Sequence, residues 1–202
     1  MLTERDREII SFIDKIGYAT IQNIADLFFS QNRFSYDLSR KRLKKIKEMG
    51  NYVRSFQNSE TTETVYVPFE SNKKKVSIHD IMVLNYICKL NLLGCNIECT
   101  EIEPIFNNIK PDALVKFTFD NFQYAQLIEM QIRHNLVDLD RYNNQNVMNA
   151  ILDKTDNIIP KLIIIQDTKI NYAENNPTLM DIIQMDTSLG DIPKTLMENK
   201  TN

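Results

Sequence analysis

The sequence predicts an α+β protein in two parts: three helices closed by a β-hairpin over residues 1–70 and, after a linker at 71–77, a domain of order α-β-β-β-α-β over residues 78–170. Three observations predict it. Helical apolar periodicity recurs three times before residue 50, and each run opens on a capping side chain. Two alternating segments rich in Val, Tyr and Phe follow as a hairpin. From Ile78 the pattern changes to a long apolar helix and then to strands interrupted by one helix.

Thr3 caps a first helix whose Ile9, Phe12, Ile13 and Ile16 form one stripe, and Gly17 marks its end. Thr20 caps a shorter second helix with Ile21, Ile24, Ala25 and Phe28 inward, and residues 29–34 connect it to a third. Ser35 is expected to cap that third helix. Its Leu38, Leu43, Ile46 and Met49 fall on one side at about 100° per residue, while Arg40, Lys41, Lys44, Lys45 and Lys47 spread over the other, and Gly50 ends it. Residues 52–56 and 64–67 alternate as strands about a polar loop. Three helices and a hairpin make a winged helix-turn-helix.

In the second part Ile81, Met82, Leu84, Ile87 and Cys88 carry the long helix. Strands are expected at 96–102, 113–119 and 123–132, then a helix at 136–154 and a buried strand at 161–166. Residues 171–202 are expected to form an irregular, Asn-rich tail with one weak helical stretch at 179–185.

Charge divides along the same line. Residues 1–75 hold 14 of the 24 basic and 10 of the 27 acidic residues, a net of +4, which leaves −7 for the remainder and −3 for the chain. A polyanion is drawn to the first part and repelled by most of the second. No apolar run approaches a membrane span, and the chain opens on Thr3, Glu4, Arg5 and Asp6, so a cytoplasmic protein without membrane contact is expected. Cys88, Cys95 and Cys99 form no CxxC pair and have only His79 and His134 to join them, which predicts reduced thiols and no zinc site. The two histidines stand apart without an HxH cluster, so His79-Asp80 reads as a helix start. The four glycines form no phosphate loop. No cofactor is expected.

The string LSRKRLKKIKEMG, residues 38–50, places six basic residues within eight positions. A helix entering the major groove needs base-reaching side chains near its N-terminal end and phosphate contacts along its edges. Arg33, Tyr36, Arg40 and Lys41 suit the first role, and Lys44, Lys45 and Lys47 the second. A lone charge run is more often a solvated face, but third place in a tri-helical pattern before a hairpin favours contact with double-stranded DNA. The hairpin loop carries Glu60 and Glu63 and no basic residue, so its tip is expected to stay off the phosphates. Two half-sites would call for a homodimer, with the helix at 78–93 as the candidate interface.

At LTERDREII, GYATIQNIADLFF and SRKRLKKIKEMG before strands ending VYVP, the chain resembles the replication-relaxation family of plasmid, phage and conjugative-element proteins. The likeness continues at His79-Asp80, Pro111-Asp112-Ala113, residues 127–131 and Arg141-Tyr142, and covers roughly residues 2–167. It implies a DNA-binding winged helix joined to a domain used in mobile-element replication, transfer or transcriptional control.

Pro111-Asp112 followed by Glu129-x-Gln131 also resembles the metal site of the restriction-endonuclease-like, PD-(D/E)xK, group, whose α-β-β-β-α-β core agrees with the order above. Asp112 and Glu129 on neighbouring strands would hold Mg²⁺, which acidifies a bound water and stabilises the leaving oxygen. The resemblance departs at Gln131, where the group's lysine would supply positive charge. Two readings stand beside that of a non-catalytic DNA-binding protein. One is a Mg²⁺-dependent DNA nuclease using Asp112, Glu129 and Gln131. The other is an interaction module whose acidic half docks a replication or transfer protein.

Overall fold

The computed structural model describes residues 1–132, 136–168, 170–172, 174 and 176–196, in two compact α+β units divided between Leu92 and Leu93. His134 lies outside the described residues.

The first unit runs α1 (Glu4–Ile16), β1 (Ala19–Thr20), α2 (Ile21–Phe28), α3 (Ser35–Glu48), β2 (Val53–Gln57), β3 (Thr64–Pro68) and α4 (Ile78–Leu92). Thr3 and Asp6 form a reciprocal capping box at the start of α1, and Gly17, at φ 89°, closes the helix by donating to the Ile13 carbonyl. Thr20 and Asn23 repeat the device on α2. The helices bury Ile9, Ile13, Ile24, Leu43 and Ile46 against Val53, Val65 and Val67 of an antiparallel sheet of order β1-β3-β2. The two-residue strand β1, too short for any periodicity, was not foreseen.

Two details of α3 correct the sequence reading. Its N-cap is Phe34, and Ser35 makes no capping bond because it already lies in the first turn. The inward face is Ser39, Leu43 and Ile46, while Leu38 and Met49 are more than a third exposed. Ser39 tolerates burial because its hydroxyl donates to the Ser35 carbonyl at 2.8 Å.

The boundary expected at 71–77 falls instead after Leu92. Arg54 donates to the carbonyls of Ser71, at 2.7 Å, and Lys73, and the Asn58 side chain bonds both backbone groups of buried Val76. This segment is therefore tied to the hairpin and is no free linker. Beyond it, Tyr18 donates to the Asp80 carbonyl at 2.7 Å and Asn23 to the Asn85 amide oxygen at 2.8 Å. Ser77 and Asp80 bond each other's backbone N–H, the helix-start role expected of Asp80. Ile81, Leu84, Ile87, Cys88 and Leu90 of α4, the helix expected at a dimer interface, are buried within the single chain, while Leu92 and Leu93 at its end are exposed.

The second unit comprises β4 (Asn96–Ile102), β5 (Ala113–Phe119), β6 (Phe122–Gln131), a 3-10 turn (Asp140–Asn143), α5 (Gln145–Lys154), β7 (Lys161–Gln166), β8 (Ile182–Asp186) and α6 (Ile192–Thr195). The sheet order is β4-β5-β6-β7-β8, antiparallel as far as β6 and parallel from β6 to β8. Asp120 and Asn121, both at positive φ, form the two-residue turn between β5 and β6, a geometry short polar side chains tolerate. Helix α5 makes the crossover that parallel pairing demands, and Val147, Met148 and Ile151 pack on Leu114, Leu127, Leu162 and Ile164.

The helix expected over 136–154 is shorter. Asn144 is extended and caps α5 by accepting from the N–H groups of Asn146 and Val147. The tail expected to be irregular from 171 onward supplies edge strand β8, paired from Ile182 opposite Leu162 to Asp186 opposite Gln166. A five-residue run at the edge of a sheet carries too little periodicity to be told from a weak helix.

Candidate nucleic-acid interface

All seven residues expected to meet DNA are exposed. Arg33 ends the connector before α3, its guanidinium 5.4 Å from the centre of the exposed Phe34 ring. The other six lie on α3 and separate into two rows. Tyr36, Arg40, Lys44 and Lys47 fall within about 80° of one another around the axis, and Lys41 and Lys45 lie about 40° apart on the other edge.

The first row borders the hairpin. Lys47 donates to the Ser55 hydroxyl of β2 at 2.9 Å, and Tyr36 lines a small cavity of about 190 Å³ with Thr20, Gln22 and residues 62–64. Burial raises the Tyr66 phenol of β3 above its usual range, against the opposing charge of nearby Arg40. Arg40 pairs with Asp37 at 3.6 Å and Lys44 with Glu48 at 3.7 Å, with all four side chains more than half exposed. Such pairs contribute about 0–1 kcal/mol and give way readily to a phosphate. Lys41 and Lys45 form no ion pair among the described residues and border the first turn of α1. Arg42, in the middle of the basic run, is committed elsewhere: it pairs with buried Asp6 and donates to the Thr3 hydroxyl at 2.6 Å.

The hairpin loop folds back on its own unit. Glu60 accepts from the Ile78 N–H and lies 3.8 Å from Lys75, which accounts for the acidic side chain at a tip expected to stay off phosphates.

In the second unit, Glu129 and Gln131 share a face of β6, as period-two alternation requires. Both are buried, and both are engaged. Glu129 accepts at one carboxylate oxygen from the Arg141 guanidinium and the Tyr142 hydroxyl. Its carboxyl is pushed up to about 7, chiefly by burial, with Arg141 and Tyr142 favouring the charged form and Asp112 opposing it. Gln131 accepts from the Tyr172 hydroxyl at 2.5 Å and donates to Thr168 at 3.0 Å. Asp112, at the start of β5, accepts from the Met130 N–H at 2.6 Å. The nuclease-like resemblance named Asp112, Glu129 and Gln131, and alternation put the last two on one face; neither assigned to this site Arg141, Tyr142, Tyr172 or Thr168, which reach Glu129 and Gln131 from other segments. Among the described residues no three His, Cys, Asp or Glu side chains converge as a metal centre. A guanidinium already balances one of the two carboxylates expected to hold Mg²⁺, and Gln131 is spent on tyrosine and threonine. The donor set does not fit the ion.

No family model, curated protein or solved structure matches the chain.

Proposed function

We propose that the chain is a sequence-specific double-stranded DNA-binding protein that inserts α3 into the major groove as the recognition helix of a winged helix-turn-helix. The observation that carries this reading is the row of exposed Tyr36, Arg40 and Lys44 along the hairpin side of α3, whose Ser39, Leu43 and Ile46 are buried. The order α1-β1-α2-α3-β2-β3 with sheet order β1-β3-β2 supports it, because it sets a hairpin beside that helix. So does the +4 balance of residues 1–75. The motif likeness to the replication-relaxation family supports a role in mobile-element replication, transfer or transcriptional control.

The second unit, on this reading, has a nuclease-like strand order but no catalytic role. Its acidic balance gives a DNA backbone little to hold, and Glu129, one of the two carboxylates that would bind Mg²⁺, pairs with Arg141 instead.

The test is fluorescence anisotropy of the whole chain on DNA flanking its own gene and on random DNA, across a salt series. Salt-dependent binding with tighter affinity for one flanking segment is expected. Affinity that is absent at low salt, or unchanged when Arg40 and Lys44 are both replaced by Ala, would overturn the reading.

A further inference from the structure

Lys41 and Lys45 belong to a feature that no spacing argument revealed. They form one rim of a groove of about 630 Å³ within the first unit, and the first turn of α1 forms the other. Phe29, almost fully buried, lies in its lining. Arg5 is held at this groove by its ring contact, the guanidinium 5.2 Å from the Phe29 centroid. Stacking restricts the side chain while leaving its N–H groups for an anion. Arg42 also lines the groove, held by Asp6 and Thr3. Four cations thus meet two carboxylates in the lining, Glu4 and Glu8, both on α1.

The two cationic rows of α3 point the same way. A helix in the major groove has a sugar-phosphate backbone on each side, and both strands must be met for the helix to sit centred. The row bordering the hairpin faces one side; Lys41, Lys45 and Arg5 face the other. Asp37 and Glu48 lie on the exposed arc between the rows, each already paired with a basic neighbour.

We infer that the groove between α1 and α3 is a phosphodiester-binding site, in which Arg5, Lys41 and Lys45 hold the DNA strand opposite the one met from the hairpin side. This inference rests on the DNA-binding reading. It moves Lys41 from base reading to backbone contact and adds Arg5, a residue outside the basic run, to the interface.

The experiment compares the whole chain with the Arg5→Ala/Lys45→Ala double variant and with Lys44→Ala, all with circular dichroism melts to verify folding. The double variant is expected to bind flanking and random DNA more weakly by the same factor, and to lower the slope of log affinity against log salt by about 2. Arg5→Lys, which keeps the charge, should retain the slope. Wild-type affinity and slope in the double variant, alongside weakened Lys44→Ala, would overturn the groove and leave the α3 reading standing. No salt-dependent binding by the wild type would overturn both. Inorganic phosphate at matched ionic strength is expected to displace DNA no better than chloride. Specific displacement by phosphate from the wild type but not from the double variant would assign the groove to free phosphate and overturn its role as a backbone site.

Discussion

Lys41 and Lys45 in the first unit stand exposed without an ion pair among the described residues, whereas Glu129 in the second is buried with a guanidinium and a phenol on one oxygen. The same charge chemistry serves opposite ends in the two places. An exposed cation keeps its hydration and is ready to trade it for a phosphate. A buried carboxylate has lost its water and holds its structural partner because leaving it would strand a charge. Charged residues within one unit divide in the same way, since Arg42 lies between Lys41 and Lys45 in a common groove but is committed to Asp6. Partnership, more than residue type, separates the binding candidates from the scaffold.

The sharpest test of that contrast is Arg141→Ala. It removes the counter-charge of buried Glu129 and is expected to cost about 3–5 kcal/mol of stability above pH 7, measured by urea unfolding, with less lost at pH 5, where Glu129 takes up a proton. A loss below about 1 kcal/mol at both pH values would mean the pair is a surface-like contact.

A second test uses pH alone. Because burial raises the Glu129 carboxyl from its usual 4.5 to about 7, the folded chain binds this proton more tightly than the unfolded one. The stability it contributes is therefore full below pH 4.5 and is lost as pH rises through 7. The difference in unfolding free energy between wild type and Glu129→Gln should change across that window and be flat outside it. A difference that is flat throughout would place the carboxyl at its ordinary value.

The exposed row calls for smaller, selective effects. Arg40→Ala is expected to lower discrimination between the preferred and random DNA by about 1–3 kcal/mol, whereas Lys44→Ala weakens both alike. Equal losses on the two DNAs for Arg40→Ala would remove it from base reading. The smallest expected effect is zero: supercoiled plasmid with Mg²⁺ or Mn²⁺ should stay intact with wild type and with Asp112→Ala/Glu129→Ala. Nicking by the wild type that vanishes in the double variant would make Asp112, Glu129 and Gln131 an active site.

Helices α1, α2 and α3, the hairpin, and strands β4 to β7 were all legible along the chain, because each is governed by interactions within a few residues: a cap, a stop glycine, or an apolar period long enough to repeat. The basic face of α3 was legible for the same reason. Where the expectation failed, distant residues intervened. Helix α4 reads as the start of the second domain because it follows a polar, charged stretch, yet the bonds from Tyr18 and Asn23 and the anchoring of 71–76 by Arg54 and Asn58 bring it into the first unit. Strand β8 exists through its pairing with β7 and has little signal of its own.

The division at the candidate sites is similar. Residue types and helical spacing already told that α3 is cationic outside and apolar inside, and alternation told that Glu129 and Gln131 share a face. Which cations are spent on carboxylates, which edge of α3 borders α1 and which the hairpin, and that Arg141 and Tyr142 claim Glu129 all depend on contacts between residues 8 to 39 positions apart. Ionic and hydrogen-bond partners are chosen by proximity after folding, and local periodicity carries no record of that choice.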